Sequence, residues 1–357
     1  MRNMNLLCIS DKHIGNNLNP SKRMVKSIKD TLKKIDFERV DAIIDLGDSI
    51  DRLLSTMSEE YKDFLDMHMF IAGICNRHKI PYIYLVGTPL HEMSQFNNME
   101  FVIRNAYPNL ALYVFKTIDI TYVKELDIDI LHLPDEVIKD NVEYEIKIKE
   151  LVKDKAVDLI LTHTIYDHQL SFPLPNLRSS DFILSMTDGY ILNGHVHTHG
   201  TNSRLITIGS SDRISHNEEE AKGIGILHYH HNIELSYYEF IENKNSLKFI
   251  SIKRPYTIDV LKNKLRRISL KYDMVHVSLP EKYDYRQSMI SSLSKEFKNI
   301  TFKIKEEKAK RRVSKGRTKS KIPFEITPNN IGSLLKELTV NVDIDHIVDG
   351  YNKHILL

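Results

Sequence analysis

The chain has 357 residues, 41% of them hydrophobic, with 50 Lys and Arg against 48 Asp and Glu and a formal net charge of +2. That length can bury a large core and suits more than one domain, and the near-balanced charge excludes a polycationic chain. No apolar run approaches the roughly 20 residues of a membrane span, and the stretch Leu6-Leu7-Cys8-Ile9 that follows the N-terminus is too short for a secretory leader. Cys8 and Cys75 both lie in apolar patterns and read as buried free thiols. A reducing, cytoplasmic setting is therefore expected. The Lys-, Ile- and Asn-rich composition suggests a bacterium, or a phage in its host's cytoplasm.

Strand and helix signals alternate through the first two hundred residues. Leu6 to Ile9 is a buried strand, Asn19 and Pro20 cap and open a helix, and Met24, Ile28, Leu32 and Ile35 follow at helical spacing. Ala42 to Leu46 is the second strand. Thr56 and Glu59 fit a capping box for a helix whose inner face carries Tyr61, Leu65, Ala72 and Cys75, and Tyr82 to Val86 is the third strand. Further strands are predicted at Leu112 to Phe115, Ile128 to Leu133, Val157 to Leu161, Tyr190 to Leu192, Leu205 to Ile208 and Ile224 to Tyr229, with a helix between Tyr144 and Lys153. This order predicts a two-sheet α/β sandwich.

Beyond residue 245 the texture changes. A helix over Tyr256 to Leu270, a strand over Val275 to Leu279, a helix over Arg286 to Phe297 and a strand over Ile300 to Ile304 predict a small α/β cap. Lys303 to Lys321 is basic and rich in Ser, Gly and Thr, and apolar periodicity returns from Ile331 to Ile355. The organisation read from this is a main domain over 1–245, a cap over 246–305, a basic linker over 306–323 and a helical tail over 324–357. No internal repeat is present.

The chemistry-bearing residues fall just after strands, where α/β sheets hold ligands. Asn193-Gly194-His195-Val196-His197 directly follows the apolar Tyr190-Ile191-Leu192, and two histidines two apart at a strand end can aim two imidazoles into one cavity. Asp11-Lys12-His13 offers a carboxylate and an imidazole on alternate positions. Gly47-Asp48 follows the second strand, where glycine permits close backbone approach and Asp48 has two oxygens able to bridge two cations. His163 ends another apolar run. Nitrogen and oxygen donors without thiolate suit manganese, iron or zinc better than calcium. Two divalent ions bring more charge than Asp11 and Asp48 cancel, and the excess suits a phosphate and a water activated near neutral pH.

Asp11-x-His13, Gly47-Asp48-x-x-Asp51, His163 and Gly194-His195-Val196-His197 together resemble the calcineurin-like metallophosphoesterases, and within them the SbcD-type DNA repair nucleases. Ile208-Gly209-Ser210-Ser211-Asp212-Arg213 resembles the Gly-Ser-Pro-Glu-Arg-type stretch of that group. The resemblance covers residues 5 to 240 in motifs and the remainder in architecture. It implies a first metal on Asp11, His13 and His197, a second on His163 and His195, and Asp48 as the bridge and a catalytic residue; the pair would be Mn(2+), with Mg, Fe or Zn as substitutes. The family's Gly-Asn-His-Asp/Glu motif is altered to Gly87-Thr88-Pro89-Leu90-His91-Glu92. His91 is then the leaving-group histidine. The missing Asn is replaced by Thr88, by water or by His91 itself. Glu92 either orients His91 or faces solvent, and Asp51 reads as a loop or supporting group.

The resemblance implies a metal-dependent DNA exonuclease, also endonucleolytic, acting as a homodimer in a heterotetramer with an SbcC-like coiled-coil ATPase that the C-terminal tail docks on. Arg311, Arg312, Lys315, Arg317 and Lys319 form an electrostatic arm suited to DNA phosphates. The alternatives are a phosphodiesterase or phosphatase acting on RNA or a small molecule, and a DNA- or ATPase-binding scaffold whose metal site has degraded, an idea the missing Asn supports.

Overall fold

Burial on alternate sides of each strand sets the layers. In β1 (Met4–Ile9), Leu6 and Cys8 face one core while Leu7 and Ile9 face another, and all four are buried. Strands with period-two side chains and two covered faces read as continuous apolar runs. The computed structural model describes residues 3–304 apart from 93, 136–139, 154, 171–176, 216–217, 231–232, 253–257, 280–285 and 298–299.

After β1 come α1 (Ser21–Leu32), β2 (Ala42–Asp45), α2 (Glu59–His78), β3 (Tyr82–Leu85), the single turn α3 (Pro89–Glu92), α4 (Phe96–Ala106) and β4 (Leu112–Phe115). Next are β5 (Asp119–Val123), β6 (Ile128–Leu133), α5 (Asn141–Val152), β7 (Leu159–His163), α6 (Ser180–Leu184), β8 (Tyr190–Gly194), β9 (Gly200–Asn202) and β10 (Leu205–Thr207). The remainder is β11 (Gly223–Tyr229), β12 (Tyr237–Glu242), β13 (Phe249–Ile252), α7 (Ile258–Ile268), β14 (Met274–Leu279), α8 (Arg286–Glu296) and β15 (Ile300–Ile304). One six-stranded sheet runs β12-β11-β1-β2-β3-β4, the other β5-β6-β7-β8-β10-β9. In the first sheet β1 to β4 are parallel; in the second, β6, β7, β8 and β10 are.

The sheets pack face to face through Leu6, Cys8, Ile44, Leu85, Ile130, Leu161 and Leu192. The outer face of the first is covered by α1, α2 and α4, and that of the second by α5 and α6. The predicted two-sheet α/β sandwich is the fold observed. A third, parallel sheet, β13-β14-β15, has its own core of Leu261, Leu265, Val275, Val277 and Leu293, within the same compact unit as the sandwich. Most of the basic stretch, including Arg311, Arg312, Lys315, Arg317 and Lys319, lies outside the described residues, as does the apolar tail. Among the described residues no helix is long and apolar enough to cross a membrane.

Two helix starts differ from expectation. Ser58, not Thr56, caps α2: its hydroxyl accepts from Tyr61 N at 3.1 Å, and Glu59 and Glu60 in the first turn complement the helix dipole. Asn19 does not cap α1; its amide is drawn off to Arg213 O at 2.8 Å. Strands β5, β9, β12 and β13 and helices α3, α4 and α6 have no counterpart in the sequence expectations. β12 alternates exposed and half-buried residues at the edge of its sheet, so it lacks the apolar run that marks an interior strand.

Candidate metal centre

Parallel pairing brings the candidate residues to one rim. Ile9 stands opposite Asp45 in β1 and β2, and His163 opposite Gly194 in β7 and β8. The loops leaving these strands then brace one another. Asp11 N donates to Gly47 O at 3.0 Å, and His13 N donates to Asp48 O at 2.9 Å. His195 N lies 3.1 Å from each oxygen of the Asp11 carboxylate. Gly194 is required by this closeness: a Cβ there would lie 2.6 Å from His163 Nδ1 and 2.7 Å from Leu46 O.

Three groups of donor atoms result: Asp11, His13 and His197; Asp48, His163 and His195; and His13, Asp51 and His91. In the first, the Nε2 atoms of His13 and His197 face each other at 3.1 Å. His197 is oriented by donating from Nδ1 to Glu218 at 2.8 Å, and His163 by donating from Nδ1 to Leu46 O at 2.6 Å. With Nδ1 so committed, each ring in its neutral form would turn a bare Nε2 inward, the arrangement that outer carboxylates and carbonyls give to metal-binding histidines. Asp48 Oδ2 stands between the groups, 3.2 Å from His163 Nε2 and 3.8 Å from His13 Nε2. His91 donates from Nδ1 to Asp51 O at 2.6 Å and packs edge-on against His13, ring centres 4.9 Å apart. His13 Nδ1 is 3.3 Å from Asp51 Oδ1, an ion-pair distance without hydrogen-bond geometry.

These donors fit a cation. A cation between the facing Nε2 atoms of His13 and His197 would engage both nitrogens at once. Two ligands about 2.1 Å from one ion and at right angles stand about 3.0 Å apart, close to the separation of the two Nε2 atoms. The charges agree. Burial opposes a charged ring at His163, but the Asp48 carboxylate outweighs it and pushes the ring up to about 10. Burial alone would raise Asp48; His163, His13 and His91 instead hold it well below the usual carboxylate range. Burial and the neighbouring His163 push His195 down to about 4.

All six proposed metal-binding residues thus lie in the first two groups, with His91 and Asp51 in the third beside them. Thr88 joins the second group: its hydroxyl lies 3.2 Å from Asp48 Oδ2, 3.4 Å from His163 Nε2 and 3.2 Å from His195 Nδ1. Glu92 meets neither of its expectations. It is fully buried, accepts from Ser49 N at 2.7 Å and from the Tyr84 hydroxyl at 2.8 Å, and so pins the Asp48 loop from behind. Burial, with the Asp48 charge, pushes its carboxyl up to about 7. Of the other histidines, His199 donates to Thr207 O and His228 bonds Asn5; neither joins a donor group.

Sequence reasoning missed Glu218 and the buried Lys12–Asp45 pair. Glu218 sits in an acidic run with nothing in its spacing to single it out. Lys12 turns away from the site between Asp11 and His13, and its amine binds both Asp45 oxygens at 2.6 and 2.7 Å. Arg213 is spent structurally: its guanidinium holds the carbonyls of Glu218, Glu220 and Leu247, and Asp212 binds Ser246.

No protein-family model matches the chain, and no curated protein matches it. Among solved structures it is similar to TT1561 of Thermus thermophilus, at 13% identity and a TM-score of 0.39, over 67% of this chain and 100% of that one. It is also similar to GAP50, the anchor in the inner membrane complex of Plasmodium, at 14% identity and a TM-score of 0.41, over 68% of this chain and 86% of that one. At these scores the likenesses carry no argument about function.

Proposed function

We propose that the chain is a metal-dependent phosphodiester hydrolase of the metallophosphoesterase type that cuts DNA, working as a nuclease subunit beside an SbcC-like coiled-coil ATPase. The observation that carries the hydrolase reading is the pair of donor groups with one Asp48 oxygen between them. Asp11, His13 and His197 would hold one divalent ion, Asp48, His163 and His195 the other, and Asp48 would be shared. Bound ions supply a water activated for attack and positive charge against the phosphoryl oxygens. His91 has its Nδ1 committed to Asp51 O, which leaves Nε2 to hand a proton to the departing alkoxide. Asp51 and Glu218 orient His91 and His197.

The choice of DNA and of an ATPase partner rests on the motif resemblance and on the basic and apolar segments beyond the described residues. The Gly209–Arg213 stretch supports it through resemblance alone, because Arg213 is buried and bound to backbone carbonyls.

Manganese-dependent digestion of linear duplex and single-stranded DNA by the full chain tests the proposal. Native protein should degrade both, Asp48→Ala should abolish the activity, and His91→Ala should slow it by about 100-fold or more. Hydrolysis of small phosphodiesters but not of DNA would transfer the site to a small-molecule phosphodiesterase. Two bound ions with no ester hydrolysed would leave a binding scaffold.

A further inference from the structure

The Thr88 hydroxyl is placed unlike an ordinary loop threonine. Its Oγ1 is 3.2 Å from Asp48 Oδ2, 3.4 Å from His163 Nε2 and 3.2 Å from His195 Nδ1. His163 turns Nε2 toward this oxygen because its Nδ1 is committed to Leu46 O. A hydroxyl has one hydrogen to give. Asp48 Oδ2 and two ring nitrogens converge on it, so it stands among three atoms able to hold a cation, with one hydrogen to offer at most one of them. Donor atoms about 2.1 Å from a common ion are separated by about 3.0 Å at right angles and about 3.4 Å at tetrahedral angles. The three Thr88 distances fall in that interval.

The backbone holds the side chain there independently of the hydroxyl. Thr88 N donates to Asp48 Oδ1 at 2.6 Å, and Thr88 O accepts from the amides of His91 and Glu92 at 2.9 Å, closing the turn that begins at Pro89. Gly87 is needed for this approach, since a Cβ there would lie 2.3 Å from Asp48 N. A change at the Thr88 hydroxyl therefore need not move the loop.

We propose that Thr88 Oγ1 is the fourth donor of the Asp48–His163–His195 group, so that this site binds its divalent ion through two nitrogens, one shared carboxylate and one neutral hydroxyl. The inference rests on the hydrolase reading above and adds to it which ion is the exchangeable one. The Asp11–His13–His197 site has a carboxylate of its own besides any share in Asp48. The Thr88 site has no unshared negative ligand, and it is the weaker of the two.

The experiment is a Mn(2+) titration of the full chain, following free ion by room-temperature electron paramagnetic resonance and the coupled ion pair by its low-temperature spectrum. Native protein should take up two ions with separable affinities and develop the coupled signal as the second binds. Thr88→Val keeps the shape and loses the oxygen. It should bind the first ion within threefold of native, bind the second at least tenfold more weakly, and lack the coupled signal where native protein shows it. Thr88→Ser should stay within threefold at both sites. Thr88→Ala, read in the same way, carries the test should the valine variant not fold. Native-like filling of both sites by the valine or alanine variant overturns the inference. So does equal weakening at both sites, which would mean that Thr88 acts only by holding the shared Asp48. Native protein that binds no ion pair removes the hydrolase reading itself, a result visible before any variant is made.

Discussion

Replacing Lys12 by Met isolates the charge that lies beneath the site. Lys12 and Asp45 are both fully buried, and the amine makes two short contacts to the carboxylate, which also accepts from the Tyr82 hydroxyl at 3.1 Å. Removing one partner of such a pair strands the other charge and costs about 3–5 kcal/mol. The stranded carboxylate has one escape, which is to take up a proton. Burial already pushes Asp45 above its ordinary value, and Lys12 is the strongest influence pulling it back. In the variant the folded-state pKa rises further above the unfolded one. Between those two values the folded chain holds a proton that the unfolded chain has released, so stability falls as pH rises through that window. Each unit of further rise adds about 1.4 kcal/mol to the deficit above the window. Lys12→Met should therefore be about 3–5 kcal/mol less stable than native protein at about pH 8 and visibly less impaired at about pH 5. Urea unfolding followed by tyrosine emission is the assay, since the chain has 17 tyrosines and no tryptophan. A deficit below about 1 kcal/mol at the higher pH, the value of an exposed pair, would refute the argument. An equal deficit at both pH values would refute it too.

Glu218→Gln keeps the shape but removes the charge that accepts from His197 Nδ1; the first Mn(2+) should bind about 10–100-fold more weakly in chelator competition, with the second little changed. Gly194→Ala puts a methyl 2.6 Å from His163 Nδ1. It should cost about 1–3 kcal/mol in unfolding experiments and detach His163 from Leu46 O, weakening the second site with it. Mn(2+) at about 100 times its dissociation constant should stabilise native protein by about 2.7 kcal/mol over chelator-treated protein; in a thermal melt Asp48→Ala should lose most of that gain, and an equal gain in that variant would count against the shared carboxylate.

The sandwich was legible because strands buried on both faces leave short apolar runs, such as Leu6 to Ile9 and, broken only by Asp45, Ala42 to Leu46. Legibility of the candidate site followed from topology: parallel neighbours end at one rim, so polar residues just after their runs meet there. What escaped lay where local pattern and tertiary role diverge. Lys12 stands between two candidate ligands with no signal of its own, and only the pairing of β1 with β2 brings Asp45 within its reach. Glu92 follows His91 and suggests an orienting acid, yet α3 turns it inward to Ser49 and Tyr84. Glu218 is chosen by contact with His197, which spacing along the chain does not encode.

Backbone conformation carries the same lesson into energetics. Of eight non-glycine residues with positive φ among those described, four are Asp11, His13, Asp48 and His195, at 47°, 48°, 47° and 72°. Left-handed backbone costs an L-residue roughly 1–2 kcal/mol, less for Asp and His than for bulky types. Such strain persists only where surroundings over-determine it. Here the surroundings are the site's own loops: Asp11 N on Gly47 O, His13 N on Asp48 O and His195 N on the Asp11 carboxylate. These bonds join protein atoms to protein atoms, so the loops that carry the donors brace one another directly. The two sheets behind them bring the strand ends together, and the loop bonds then hold Asp11, Asp48 and the histidines at one rim. Disturbing a brace rather than a donor, as at Gly194 or Glu218, should accordingly weaken cation binding while leaving every donor atom in the sequence.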